Sequence, residues 1–250
     1  MSDTWEYPGE VYEKIRSYSR DLSQELHFLE SYGVNRGAKL LDIGCATGTL
    51  IRGLSKNGID CVGIDPSKSF TDYAANKAVA SHNPGSLSIK RGIVDRSEPN
   101  PDTYDFITCI FGVLPLLDSH DAVLPFLEEI RRRLRPGGRF FLEFGYYLNF
   151  VSNFQPTMVL NHFDDKENVS RLIKHVVHPH KALWQHDETI TVGRQDSVEL
   201  YFQRFFELVL LPPTIFSFLE KVGFTIIDHW PTWQKTPYLV GHSTLIIVCE

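Results

Sequence analysis

Between residues 38 and 145 short apolar runs alternate with amphipathic stretches, and that alternation restricts the chain to one kind of architecture. AKLLDIG reads as a buried strand. From Thr47 to about Lys56 the residues Leu50, Ile51 and Leu54 share one helix face, and Gly58 stops the helix. DCVGID is a second strand, Ser67 caps a helix running to about Ser81, and LSIKRG is a third strand. YDFITCIF, the fourth, is apolar too continuously for a half-exposed strand. A helix over Asp121 to Leu134 carries Val123, Leu127 and Ile130 on one side, and RPGG closes it as a stop and turn before a fifth strand, RFFLEFG. Repeated strand-helix-strand units of this kind build a parallel sheet with right-handed crossovers and helices on both faces.

The alternation lapses after Gly145. SRLIKHVVH, ALWQHDETITV and SVELYFQRFFELV read as antiparallel strands of an insertion over residues 146–206. Helical period returns at Ile215, Phe218, Leu219 and Val222, with Gly223 as the stop, and FTIIDHW and HSTLIIVCE are the last two strands. Ahead of the alternation, Tyr7 to Gly33 reads as a helix with Ile15, Leu22, Leu26 and Leu29 on its core side. The expected organisation is a helical lid at 1–35, an α/β core at 36–145 completed by 207–250, and an antiparallel cover at 146–206. A length of 250 residues fits one domain with such an insertion.

The net charge of −6 disfavours a nucleic-acid partner, which calls for a basic face. The Arg131–Arg135 run lies at a helix C-terminus, where the helix dipole and solvation account for it. No apolar run approaches the ~20 residues of a membrane span, and the acidic, polar N-terminus lacks the blocks of a signal peptide. Cys45, Cys61, Cys109 and Cys249 form no CxxC pair and read as reduced core thiols, which points to a cytoplasmic protein.

In an open parallel sheet ligands bind at the carboxyl ends of the strands, so the turn in LLDIGCATGTL is the place to look for one. A phosphate loop needs Lys and Ser/Thr after its second glycine, whereas Gly53 is followed by Leu54 and Ser55. A dinucleotide turn beginning at Gly44 needs glycines where Ala46 and Thr49 stand. Asp65, ending the second strand, suits the ribose diol of any adenosine cofactor. Asp42, just ahead of the turn, suits a ligand with an ammonium and no phosphate. S-adenosylmethionine combines these features.

LLDIGCATG, VGIDPS, DFITCIFGVLPLL and LRPGGRFFLEF, in that order, resemble the successive motifs of class I S-adenosylmethionine-dependent methyltransferases. The resemblance covers about Ala38 to Gly145 and continues in VGFTIIDHW. It implies a Rossmann-like seven-stranded sheet, mostly parallel, whose last strand is antiparallel. By position it places Asp42, Gly44, Cys45 and Gly48 around the methionine end of the cofactor, Asp65 on the ribose, Pro66 near the adenine and Phe111 near the sulfonium. Where the family often has an acid after the glycine that is here Gly92, this chain has Ile93 and Val94, with Asp95 two places late. Adenine is then held by apolar and backbone contacts, or the loop shifts to use Asp95.

Methyl transfer is an in-line displacement in which positioning supplies much of the catalysis. An amine acceptor needs no strong base, whereas a hydroxyl or carbon acceptor does. The acceptor site is expected at the insertion and the N-terminal segment, with Tyr12, Tyr146, Tyr147 and Phe150 as substrate-binding candidates, since aromatic faces hold flat or cationic groups. Tyr7, Tyr18 and Tyr32 add to the same aromatic set, and sealing the insertion against the sheet accounts for such residues equally well. Tyr147 and His162 are the candidates for handling a proton. His175, His178, His180 and His186 also fall in the insertion, but no acids or cysteines accompany them as ligands, and no metal is expected. Glu143 fits a hydrogen-bonding role at the sheet rim. The expected partner is a small molecule, a sugar or natural-product intermediate among the options, and not nucleic acid or membrane. An RNA or protein acceptor, or a catalytically silent binding subunit, are the alternatives, and a homodimer is one option for the assembly.

Overall fold

The computed structural model describes residues 7–79, 83–94, 103–145, 155–163, 167–239, 242 and 244–250. A seven-stranded sheet is formed by β1 (Lys39–Ile43), β2 (Asp60–Asp65), β3 (Leu87–Arg91), β4 (Tyr104–Cys109), β5 (Leu134–Gly145), β10 (Ile226–Trp230) and β11 (Thr244–Cys249), in the order β10-β11-β5-β4-β1-β2-β3. β1 to β5 pair in parallel, and β11 runs antiparallel to both β5 and β10. The order reverses beside β1, which lies between β2 and β4, and a crevice opens there at the carboxyl ends of the strands. β1 is buried from Leu40 to Ile43, because helices cover both faces of the sheet. On one side Leu50, Ile51 and Leu54 of α3 (Thr49–Lys56) pack with Leu40 and Phe141. On the other, Leu127 and Ile130 of α5 (Val123–Arg133) and Ile215 and Leu219 of α6 (Pro212–Lys221) pack with Ile107 and Leu142. α4 (Lys68–Val79) begins where expected, with the Ser67 hydroxyl accepting from the Phe70 amide at 3.3 Å.

Two local expectations are corrected. The N-terminal segment is two helices, α1 (Gly9–Ser17) and α2 (Leu22–Ser31), because the Asp21 carboxylate caps the second by accepting from the Ser23 and Gln24 amides at 3.1 and 3.3 Å. RPGG does not separate helix from strand. Tyr104 pairs with Leu134 and Phe106 with Arg139, so those residues form an irregularity inside β5. The basic run does begin in the last turn of α5, as expected, and it is also ion-paired: Arg132 and Arg133 bind Glu129, and Arg135 binds Asp105 at 2.6 Å.

The insertion folds as a separate antiparallel sheet, β6 (Thr157–Phe163), β7 (Glu167–His178), β8 (Leu183–Arg194) and β9 (Ser197–Leu208), joined in that order. β6 is an additional strand. The inward face of this sheet contributes Val169, Ile190 and Val192 to a core shared with Tyr7, Val11 and Ile15 of the N-terminal segment and Phe70 of α4. α1 is thereby held between the two sheets, over the crevice. Among the described residues no helix is long and apolar enough to cross a membrane.

Candidate functional site

The turn after β1 is tied to β2 through its backbone. The amides of Gly44 and Cys45 donate to the Ile64 carbonyl at 2.8 and 3.2 Å, and the Ala46 amide donates to Asp65 Oδ2 at 2.9 Å. Asp65 Oδ1 also accepts from the Ser67 amide at 2.9 Å, so one carboxylate joins the ends of β1 and β2. Burial pushes its pKa up. Gly44 has φ +72°, and a Cβ there would lie 2.3 Å from Val113 Cγ2. Gly48, with φ +74°, is the N-cap of α3.

Two clefts meet at this turn. The smaller, about 280 Å³, is apolar and includes Ile64, Pro66, Ile93, Val94, Val113 and Phe126 in its walls. The larger, about 580 Å³, begins at Gly44, Asp65 and Pro66 and extends past Phe111 to β8 and β9. Gly44, Pro66, Val113, Leu117 and Asp118 line both. Of the sequence-predicted residues, Gly44, Asp65, Pro66, Phe111 and Tyr12 line the larger cleft and Ile93 and Val94 the smaller. Asp95 lies outside the described residues, as do Tyr146, Tyr147 and Phe150. Asp42 and Cys45 are buried beneath the turn and line neither cleft, and Gly48 is likewise set back from both. All four cysteines are free and buried.

Asp42 accepts from the Thr108 hydroxyl at 2.7 Å, and Glu143 accepts from the Phe111 amide. Burial raises both carboxyls to about 7. Glu143 thus serves at the sheet rim. It braces Phe111, a non-glycine residue held at φ +61°, whose ring lies 4.4 Å from the Arg20 guanidinium. Arg20 is itself paired with the buried Glu25. Both raised carboxyls bind a proton in the folded chain up to near pH 7, while the unfolded chain releases it near pH 4. The folded state therefore holds more protons between those values, and stability falls as pH rises through that window. Asp42→Asn removes one of these groups. Its melting temperature relative to the unsubstituted chain should be higher at pH 8 than at pH 5; at ~1.4 kcal/mol per pKa unit the gap is several degrees. An equal difference at both values would mean that Asp42 is ionised throughout.

The far wall of the larger cleft is the part that sequence reasoning missed. Arg16 of α1 and Leu183, Phe205 and Glu207 of the second sheet line it. His186 Nε2 lies 3.3 Å from Glu207 Oε2, and its ring stacks on Phe205 with centroids 4.6 Å apart. Strand alternation does place 203, 205 and 207 on one face, but only the pairing register identifies that face as inward. His162 is outside the lining of both clefts, stacked on Tyr18 at 4.0 Å. Among the described residues no three His, Cys, Asp or Glu converge as metal ligands.

Residues 40–138 match the model of a methyltransferase domain. The chain is 30% identical over 106 residues to a ubiquinone biosynthesis O-methyltransferase of Aliivibrio fischeri, a match covering 42% of this chain and 43% of that one. It thus spans less than half the length of that relative. Solved structures that match nearly end to end include the following two. One is an S-adenosylmethionine-dependent methyltransferase from Clostridium acetobutylicum, with TM-score 0.82, 16% identity and 96% of each chain covered. The other is an S-adenosylmethionine-bound amino pentose methyltransferase from Micromonospora echinaspora involved in calicheamicin biosynthesis, with TM-score 0.71, 16% identity and 95% and 96% of the chains covered.

Proposed function

We propose that this chain, a member of the class I S-adenosylmethionine-dependent methyltransferases, transfers a methyl group from S-adenosylmethionine to a small-molecule acceptor. The observation that carries the reading is the larger cleft, which leads from Gly44 and Asp65 to a wall built by the second sheet. The residues fit this cofactor. The apolar cleft beside Ile93 and Val94 suits an adenine held without an acid. Asp65 presents a carboxylate for the ribose hydroxyls, and the missing Cβ at Gly44 leaves room at the turn. The cofactor supplies a methyl group already activated on a sulfonium. The task of the chain is to orient the acceptor and exclude water.

Phe111, fixed by Glu143 and Arg20, and Tyr12 on α1 form the part of the wall between the two ends. Glu207, backed by His186, is better placed than His162 to take a proton from an acceptor, because it faces the cleft. A hydroxy or amino sugar, or a comparable natural-product intermediate, fits a cleft with aromatic walls and charged groups at its far end. The near end-to-end likeness to the amino pentose enzyme supports that class, since it extends over the second sheet. The ubiquinone relative matches only about 42% of the chain.

Calorimetry provides the test: the purified chain should bind S-adenosylhomocysteine and show no heat with NAD. Binding of NAD alone would sink the reading. Methyl transfer to an RNA or protein, with none to amino sugars or phenols, would keep the cofactor but move the acceptor to another class.

A further inference from the structure

Among the described residues, the outward face of the antiparallel sheet is apolar and uncovered. Cross-strand partners share a face, and the register runs Val159–Leu172–Thr189–Phe202 across all four strands. The parallel rows Phe163–Asn168–Gly193–Val198 and Val176–Gln185–Phe206 lie on the same side, as does Leu200 opposite Thr191. Every large apolar residue named in these rows is exposed, Phe202 at 60%, Leu200 at 67% and Phe163 at 69%. Single exposed apolar residues are ordinary, but a contiguous set on one sheet face marks a surface that is normally covered.

We infer that a second copy of this chain covers it, sheet against sheet, in a two-fold dimer. Two features select that occupant. The first is area. Three strands of twelve residues and one of seven give a face of about 700 Å², close to the ~800 Å² per partner of a stable interface. The second is relief. Leu200 and Phe202 form a ridge along β9, and Thr189 and Thr191, their partners in the register, form a hollow along β8 beside it, while Phe206 farther along also lines the larger cleft. A ridge next to a hollow is self-complementary under a two-fold rotation, which sets each ridge into the other copy's hollow. Of the charged residues on this face, Arg204 is paired to Asp187 at 2.5 and 2.9 Å, and Lys174 stands opposite the same carboxylate in the register. Stacked faces of this kind pack about 10 Å apart as a sandwich.

The test is sedimentation equilibrium of the full chain between 1 and 100 µM (roughly the range in which an interface of this size is populated). The unsubstituted chain should sediment at twice its monomer mass. Phe202→Asp buries two carboxylates, one per copy, and should raise the dimer dissociation constant by about 100-fold or more. Leu239→Asp, an equally exposed position off the sheet, should leave the dimer unchanged. Should Phe202→Asp fail to fold, Thr189→Lys fills the hollow and reads the same contact. A monomer at 100 µM would overturn the inference, as would a dimer that tolerates Phe202→Asp or Thr189→Lys. Co-sedimentation of a monomer with phosphatidylcholine and phosphatidylglycerol vesicles would give the face to a membrane instead.

Discussion

Gly44→Ala should leave a folded protein that no longer holds S-adenosylhomocysteine at concentrations saturating the unsubstituted chain. Two costs act together. A φ of +72° disfavours any residue with a Cβ by ~1–2 kcal/mol. The new atom would also sit 2.3 Å from Val113 Cγ2, an overlap that either residue relieves only by moving, at ~1–3 kcal/mol. Because the Gly44 and Cys45 amides are bonded to Ile64, and Val113 lines both clefts, the movement reshapes the place where the clefts meet. At 1.4 kcal/mol per factor of ten, an affinity loss of at least 30-fold follows, with a melting temperature lowered by several degrees. Val113→Ala separates the two costs. It removes both Cγ atoms and leaves Val113 Cβ 3.2 Å away, so Gly44→Ala measured in that background should recover stability yet keep the dihedral penalty. Unaltered affinity in Gly44→Ala would mean that the cofactor does not approach this turn.

The core of this fold was legible because its central strands are buried on both faces. YDFITC and KLLDI are strands wherever they occur in a parallel sheet, and the order of their motifs carried the rest. The same locality exposed half of the site: Gly44, Asp65, Ile93 and Val94 all belong to turns at strand ends, where a few residues fix both conformation and contact. The break between α1 and α2 was hidden because Ile15, Leu22 and Leu29 keep a helical spacing across it, and only the cap at Asp21 marks the interruption. The distant wall was hidden for another reason. His186 meets Glu207 through pairing of β8 with β9 and stacking on Phe205, a juxtaposition set by register and not by spacing along the chain. His162 stood closer to the aromatic stretch in sequence, and the sheet carries it to Tyr18 instead.

Asp65 joins two strand ends and also faces the cleft proposed for the cofactor, and on that reading its substitution should weaken cofactor binding more than the loss of one hydrogen bond would. Each carboxylate oxygen already accepts a backbone amide, from Ala46 or from Ser67, and the same group faces the larger cleft. Asp65→Ala therefore removes the proposed ribose partner and leaves two amides without theirs. Lost bonds to a charged acceptor are worth ~1–3 kcal/mol, and orphaned amides in the turn add to that, so a loss of 30- to 300-fold is expected by calorimetry. Asp65→Asn keeps one acceptor oxygen and should fall between. A double-mutant cycle assigns the two duties. If the carboxylate holds the ribose, removing the 2′-hydroxyl from S-adenosylhomocysteine should cost the unsubstituted chain about 10-fold and Asp65→Ala almost nothing. Equal losses in both proteins would show that Asp65 acts only by shaping the turn, leaving the ribose to other residues of the cleft.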